Sequence, residues 1–263
     1  MTDTKEVVKE IAKDVYNDAG KSIVKPTGEL FGLVPRAIKA ALAPVEKWVL
    51  QREYNLEATK KLLEEKLKDT PADLIESPEP HVAVPALQYI SYCMDNNELR
   101  DMYANLLANS MNKVVKNGVH PGFVEIIKQL CPDEAKILRY MATNPIIPII
   151  TLRMQDEKGE GFDLLKKFSD IGERASCENP YEISKYFDNL IRLGILEKPG
   201  ELSSLTDKSL YDALKNHLYI VGFKRPLEHI NSELYKTTFQ ESFIRITDYG
   251  NAFCKICLGT VDQ

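Results

Sequence analysis

Cys254 and Cys257 have the CxxC spacing that serves either a zinc site or thiol–disulfide exchange. Zinc needs two further ligands, and no second CxxC or HxxxH stands at a usual distance. Redox work of the thioredoxin kind wants the pair opening a helix after a strand. Here it lies inside a terminal helical pattern with Phe253, Ile256 and Leu258, which predicts buried structural thiols. His120 is the one histidine in a sharply patterned stretch, HPGFVEIIKQLCPDEAKILRYM, but no nucleophile or carboxylate pair accompanies it. The spacing predicts a helix-capping or carbonyl-bonding role. His81, His217 and His229 are scattered and form no pattern. GxxxxGK[ST], GxGxxG after a strand, GxSxG and HExxH are all missing. No catalytic residue, metal or cofactor is assigned, and a non-enzymatic protein is expected.

Charge offers two further candidates. The whole chain carries −5, so any attraction to nucleic acid or anionic lipid must be local. Between Lys21 and Arg52, six bases (Lys21, Lys25, Arg36, Lys39, Lys47 and Arg52) against two acids leave +4, and Trp48, the only tryptophan, closes the segment. Such a helix can lie on a membrane, each base contributing about 1 kcal/mol near an anionic surface. Alternatively it packs on its own protein, a second copy or a partner, with its bases in solvent. The second set is Lys185 and Arg192 in YEISKYFDNLIRLG, with Lys224 and Arg225 as supplements. Glu182 and Asp188 offset the first two, so nucleic acid is the less favoured partner.

The elements that must carry these residues read as follows. Residues 3–19 and 29–68 have helical apolar spacing, the second run in two pieces bent by Pro35 and Pro44. Leu30–Leu50 fails as a membrane span because Arg36, Lys39, Glu46, Lys47 and the two prolines interrupt it. Pro71, Pro78, Pro80 and Pro85 mark a linker or extended crossing, followed by a short helix near Pro85–Met94. In ELRDMYANLLANSMN, Leu99, Met102, Tyr103, Leu106, Leu107 and Met111 form a core stripe. Pro121 and Pro132 each suit a first helical turn, which predicts two packed helices meeting almost without a loop. IIPIITLRM then reads as a strand, GFDLLKKF and PYEISKYFDNLIRLG as helices, ILEK and SFIRIT as strands, and DYGNAFCKICL as a last helix.

Helix, strand, two helices and a hairpin is the order of a winged helix-turn-helix. The expected fold is therefore mainly α: a helical region at 1–70, a linker and paired helices at 71–131, and a winged-helix-like α+β domain at 132–263 with an insertion at about Leu202–Leu234. Five cysteines without framework spacing, and no cleavable export signal, fit reduced thiols in a cytoplasm, with peripheral contact at the inner membrane face left open.

HPGFVEIIKQLCPDEAKIL, with ELRDMYANLLANSMN upstream, resembles the signature of the abortive-infection alpha (Abi-alpha) family, specifically over about Glu98–Met141. The resemblance implies a bacterial phage-exclusion role, in which an infected cell stops supporting the phage, often at its own cost. It implies no known reaction. Cys131 stands where that family usually has Ser or Thr, a weaker helix cap. The function expected is antiphage defence through membrane-surface or protein association. A winged-helix DNA-binding regulator or phage-DNA sensor is the alternative, and an adaptor or antitoxin a third.

Overall fold

The computed structural model describes residues 52–200, 203–228 and 236–259. The chain divides into two units at Glu53/Tyr54, and the second is the one described below. The helices predicted at 3–19 and 29–50 lie outside the described residues, as do Lys21, Lys25, Arg36, Lys39, Lys47 and Trp48.

Arg52–Leu67 forms α1, on which Thr59 is buried and Leu62 and Leu63 pack against the core. The proline-rich segment that follows is extended only in part. After a 3-10 turn at Ala72–Leu74, Ile75 pairs with Asn112 in an isolated bridge, and the Glu76 N–H donates to the Met111 carbonyl at 2.9 Å. Helix α2 then runs Pro80–Ile90, starting earlier than the Pro85–Met94 expected. Pro80 sits in its first turn, where a missing N–H costs nothing, and Pro85 is tolerated inside because Val82, Ala83, Ala86 and Ile90 bury one continuous face.

Helix α3, Asn97–Met111, is capped by the Asn96 side chain, which accepts from the Leu99 N–H at 3.0 Å. Met102 to Ala108 are all buried because α2, α4 (Gly122–Lys128), α5 (Pro132–Met141) and α10 (Asp248–Cys257) surround it. The apolar stripe read in the sequence is thus the axis of the helical layer.

The sheet is four-stranded and antiparallel, in the order β2-β1-β4-β3: β1 Ile146–Gln155, β2 Gly161–Phe168, β3 Leu196–Glu197 and β4 Lys236–Ile246. Two expectations are overturned. GFDLLKKF is a strand, because the Asp156–Glu160 turn folds it back on β1: the Asp156 carboxylate accepts from the N–H groups of Lys158 and Glu160, and Gly159 takes φ +83°. β4 begins at Lys236, well before SFIRIT, and pairs with β1 along its whole length, from Ile146 opposite Arg245 to Gln155 opposite Lys236. The first of the two expected helices is instead the four-residue α6, Ile171–Arg174; the second is α7, Ile183–Arg192.

Helix α7 ends where LIRLG predicts. Gly194 takes φ +74°, its N–H donates to the Ile191 carbonyl, and the Ile195 N–H reaches back to Leu190. The insertion folds as α8, Ser209–Lys215, and α9, Leu218–Glu228. Strand alternation explains its place. On β1, Ile147 and Ile149 join the main helical core, whereas Ile150 points the other way into a small second cluster with Phe168, Tyr211, Leu214 and Ile220. The fold is mixed α+β, with helices on both faces of the sheet.

Candidate functional site

The stretch around His120 resolves into structure. His120 is exposed, and its Nδ1 accepts the Gly122 N–H at 3.0 Å over the start of α4, with the Tyr249 ring edge-on at 5.7 Å. At the next corner the Glu134 carboxylate accepts the Cys131 N–H at 2.8 Å and the Asn189 amide at 2.9 Å, so the carboxylate half of a capping box also pins α7.

Asp133 does more than oppose a helix dipole. It is 4% exposed and accepts the Glu178 N–H at 2.8 Å, the Asn179 N–H at 2.9 Å and the Tyr186 hydroxyl at 3.0 Å. Burial alone would raise its pKa, but these donors, with Lys136 nearby, outweigh that and hold it below the ordinary aspartate value. Sequence spacing gave no sign of this joint, because the loop 176–180 is brought to it only by the packed fold.

A groove of about 690 Å³ opens between α1, α3, the 114–118 loop, α5 and α10. Its polar groups are engaged: Lys66 lies 2.6 Å from Asp101, and Arg139 contacts Glu98 at 3.3 Å and Asp101 at 3.4 Å. Asn105 and Asn109, one turn apart on α3, donate to the Cys257 and Ile256 carbonyls at 3.0 and 2.8 Å, capping the open end of α10. This groove is a joint between helices with Lys255 exposed at its rim.

The other concentration of chemistry lies where α6, α7 and the insertion meet. The Tyr181 hydroxyl donates to Glu173 at 2.7 Å, and His217 Nε2 lies 2.9 Å from the second oxygen of the same carboxylate. His217 Nδ1 accepts the Tyr219 N–H at 3.2 Å, which leaves Nε2 to carry the proton toward Glu173. The Tyr181 hydroxyl and then His217 hold the Glu173 carboxyl below its usual range. Tyr181 stacks on Tyr219 at 4.2 Å and 9°, and Tyr219 on Phe168 at 5.6 Å and 14°. Beside them Tyr181, Glu182, Ser184, Lys185 and Asp188 line a shallow depression of about 400 Å³. None of Glu173, Tyr181 and His217 stood out in the sequence, since they come from three separate segments.

The nucleic-acid candidates occupy this part of the fold without gathering into one basic group. Lys185 bridges to Glu182 at 3.1 Å and lies over the Tyr186 ring; Arg192 is held by Gln129 and Asn189; Lys224 lies over the Phe239 ring of β4. The Arg225 side chain is outside the description, as is that of Arg52. Cys254 and Cys257 are buried in α10; burial pushes the first thiol up to about 12 and the second well above the ordinary value. Among the described residues, no three His, Cys, Asp or Glu side chains form a group that could hold a metal ion.

A solved structure of an uncharacterized protein from the hydrocarbon-degrading marine bacterium Alcanivorax borkumensis SK2 is similar at 16% identity and a TM-score of 0.37, covering 52% of this chain and 92% of that one. No curated protein matches the sequence. The family model for abortive infection alpha matches residues 51–257, far beyond the Glu98–Met141 stretch that carries the resemblance, and so takes in the helical layer, the sheet and the insertion. The chain belongs to the abortive infection alpha family.

Proposed function

We propose that the protein is a non-enzymatic component of abortive-infection defence that works by associating with another protein. The observation that carries this reading is the exposed apolar surface of the insertion. Leu218 is 85% exposed, and Leu210, Val221 and Phe223 on α8 and α9, with Tyr181 alongside α7, also face solvent. Exposed apolar and aromatic side chains of this kind anchor protein interfaces. The test is a phage challenge of cells expressing the full chain or a Leu218→Glu/Phe223→Glu variant, with co-purification of partners in parallel. The reading expects the variant to fold, to lose its partner and to protect at least tenfold less well. Full protection by a folded variant would defeat it.

The membrane version of this reading rests on Lys21, Lys25, Arg36, Lys39, Lys47, Trp48 and Arg52. Among the described residues no helix is long and apolar enough to cross a membrane. Liposome sedimentation of the full chain, with these bases neutralised as the control, tests it: salt-sensitive binding to anionic vesicles is required. A cytoplasmic location with peripheral contact belongs to the same proposal.

The winged-helix alternative draws support from the order of elements. Helix α5, β1, α6, α7, β3 and β4 come in that order, with β2 added after β1 and α8 and α9 between β3 and β4, and β4 lies between β1 and β3 in the sheet. Along α7, however, the exposed Lys185 and Arg192 alternate with Glu182 and Asp188, so the helix offers phosphates no net attraction. Mobility shifts at low salt decide this reading. It needs DNA binding that weakens with Lys185→Ala and Arg192→Ala.

A further inference from the structure

The Tyr181 ladder has a direction. Phe168 is buried at its base, Tyr219 is stacked on Phe168, and Tyr181 is stacked on Tyr219 as the outermost ring. Tyr219 covers one face of Tyr181, while 44% of the residue remains exposed and the ring lines the adjoining depression. The hydroxyl is tied down by Glu173, so the ring is held before anything arrives. A phenol donating to a carboxylate has an electron-rich ring, the condition under which cations are best attracted to an aromatic face. Glu182 and Asp188 lie in the adjoining depression.

Lys185 pairs with Glu182 and Lys167 with Asp188, yet both carboxylates remain more than half exposed, at 57% and 61% of their side chains. A carboxylate has room for about four hydrogen bonds, and exposed pairs of this kind contribute little, so an incoming donor can share or displace them. Glu173, whose carboxylate accepts from the Tyr181 hydroxyl and lies 2.9 Å from His217 Nε2, adds a third carboxylate at the hydroxyl end of the ring.

We propose that this patch docks an arginine side chain from a basic segment of a partner protein, with the guanidinium flat on Tyr181 and its edge directed at Glu182 and Asp188. Arginine suits the geometry better than lysine, because a planar guanidinium stacks and donates in its own plane at the same time. Phosphate-bearing strands, which also stack on aromatic rings, are disfavoured by the carboxylates. The proposal rests on the protein-association reading and supplies the chemistry of its partner.

The test uses the full chain and dye-labelled tetra-arginine and tetra-lysine peptides, equal in charge, read by anisotropy at low salt. Tetra-arginine should bind about three- to fivefold more tightly. Tyr181→Phe, which keeps the π face but loses the tie to Glu173, should weaken that preference; Tyr181→Leu, which still covers Tyr219 but has no π face, should abolish it in a protein that remains folded. Equal binding of the two peptides, a preference that survives Tyr181→Leu, or tighter binding of octathymidine would overturn the proposal. If the arginine preference is missing while Leu218→Glu/Phe223→Glu still destroys protection, only this proposal falls. If protection survives the double variant, the association reading falls and takes this one with it.

Discussion

Asp133 is a buried carboxylate that accepts three hydrogen bonds. Its place in the first turn of α5 suggests a favourable charge near a helix dipole, worth a few tenths of a kcal/mol to about 1. Its burial and three donors from outside the helix make it a tertiary joint instead. Asp133→Ala would leave the Glu178 and Asn179 N–H groups and the Tyr186 hydroxyl without their acceptor. We expect a loss of about 3 kcal/mol in urea unfolding. Because the folded pKa is depressed, the carboxylate's contribution is present above its unfolded value, near pH 4, and is lost as pH falls through the lower folded value. Asp133→Asn should therefore be less stable at neutral pH and show a flatter acid limb. An acid limb unchanged in the Asn variant would assign the low-pH loss to other carboxylates.

At the scale of elements, the sequence is readable wherever a local rule decides the outcome. The stripe on α3, the proline that opens α5, the glycine that ends α7 and the threonine that caps α10 are such cases. The Thr247 hydroxyl accepts the Gly250 N–H at 2.9 Å. What escaped was decided by partners distant in sequence. GFDLLKKF has no strong period of its own and becomes β2 only because β1 lies beside it. Proline counting hides α2, whose stability comes from the face it buries. The site was the least legible part: its ring stack draws on β2, the loop before α7 and α9. Two glycines separate local from tertiary causes. Gly194→Ala meets only the left-handed backbone cost of about 1–2 kcal/mol, since open space surrounds its missing Cβ. At Gly250 a Cβ would sit 2.1 Å from the Ile195 carbonyl oxygen, so α10 must shift away from the end of α7. Gly250→Ala should cost about 1–3 kcal/mol by overpacking. Denaturant unfolding checks both, and amide exchange should show α10 loosened only in the second.

Across the whole second unit, the sheet separates two cores of very different size. The larger joins α2 to α5, α7, α10 and the inner faces of β1 and β4; the smaller holds five buried side chains between the outer sheet face and the insertion. Cooperativity follows buried area, so the insertion should open at lower free energy than the helical layer. Polar ties supplement its small core: Lys215 reaches Glu241 at 2.8 Å, Lys208 reaches it at 2.7 Å, and His217 meets Glu173. Tyr211 is the critical member, fully buried and accepting the Leu205 N–H at 2.8 Å through its hydroxyl. Tyr211→Ala removes a side chain whose burial is worth about 3–5 kcal/mol, comparable with everything that holds the insertion down. We expect hydrogen exchange to lose protection through α8 and α9 in this variant while α3 and α5 keep theirs. Equal loss in both layers would mean that the two cores unfold as one. Localised loss would make the surface carrying Leu218, Phe223 and the Tyr181 stack a module that can open without dismantling the rest, and Tyr211→Ala should then weaken partner capture in a protein that is otherwise folded.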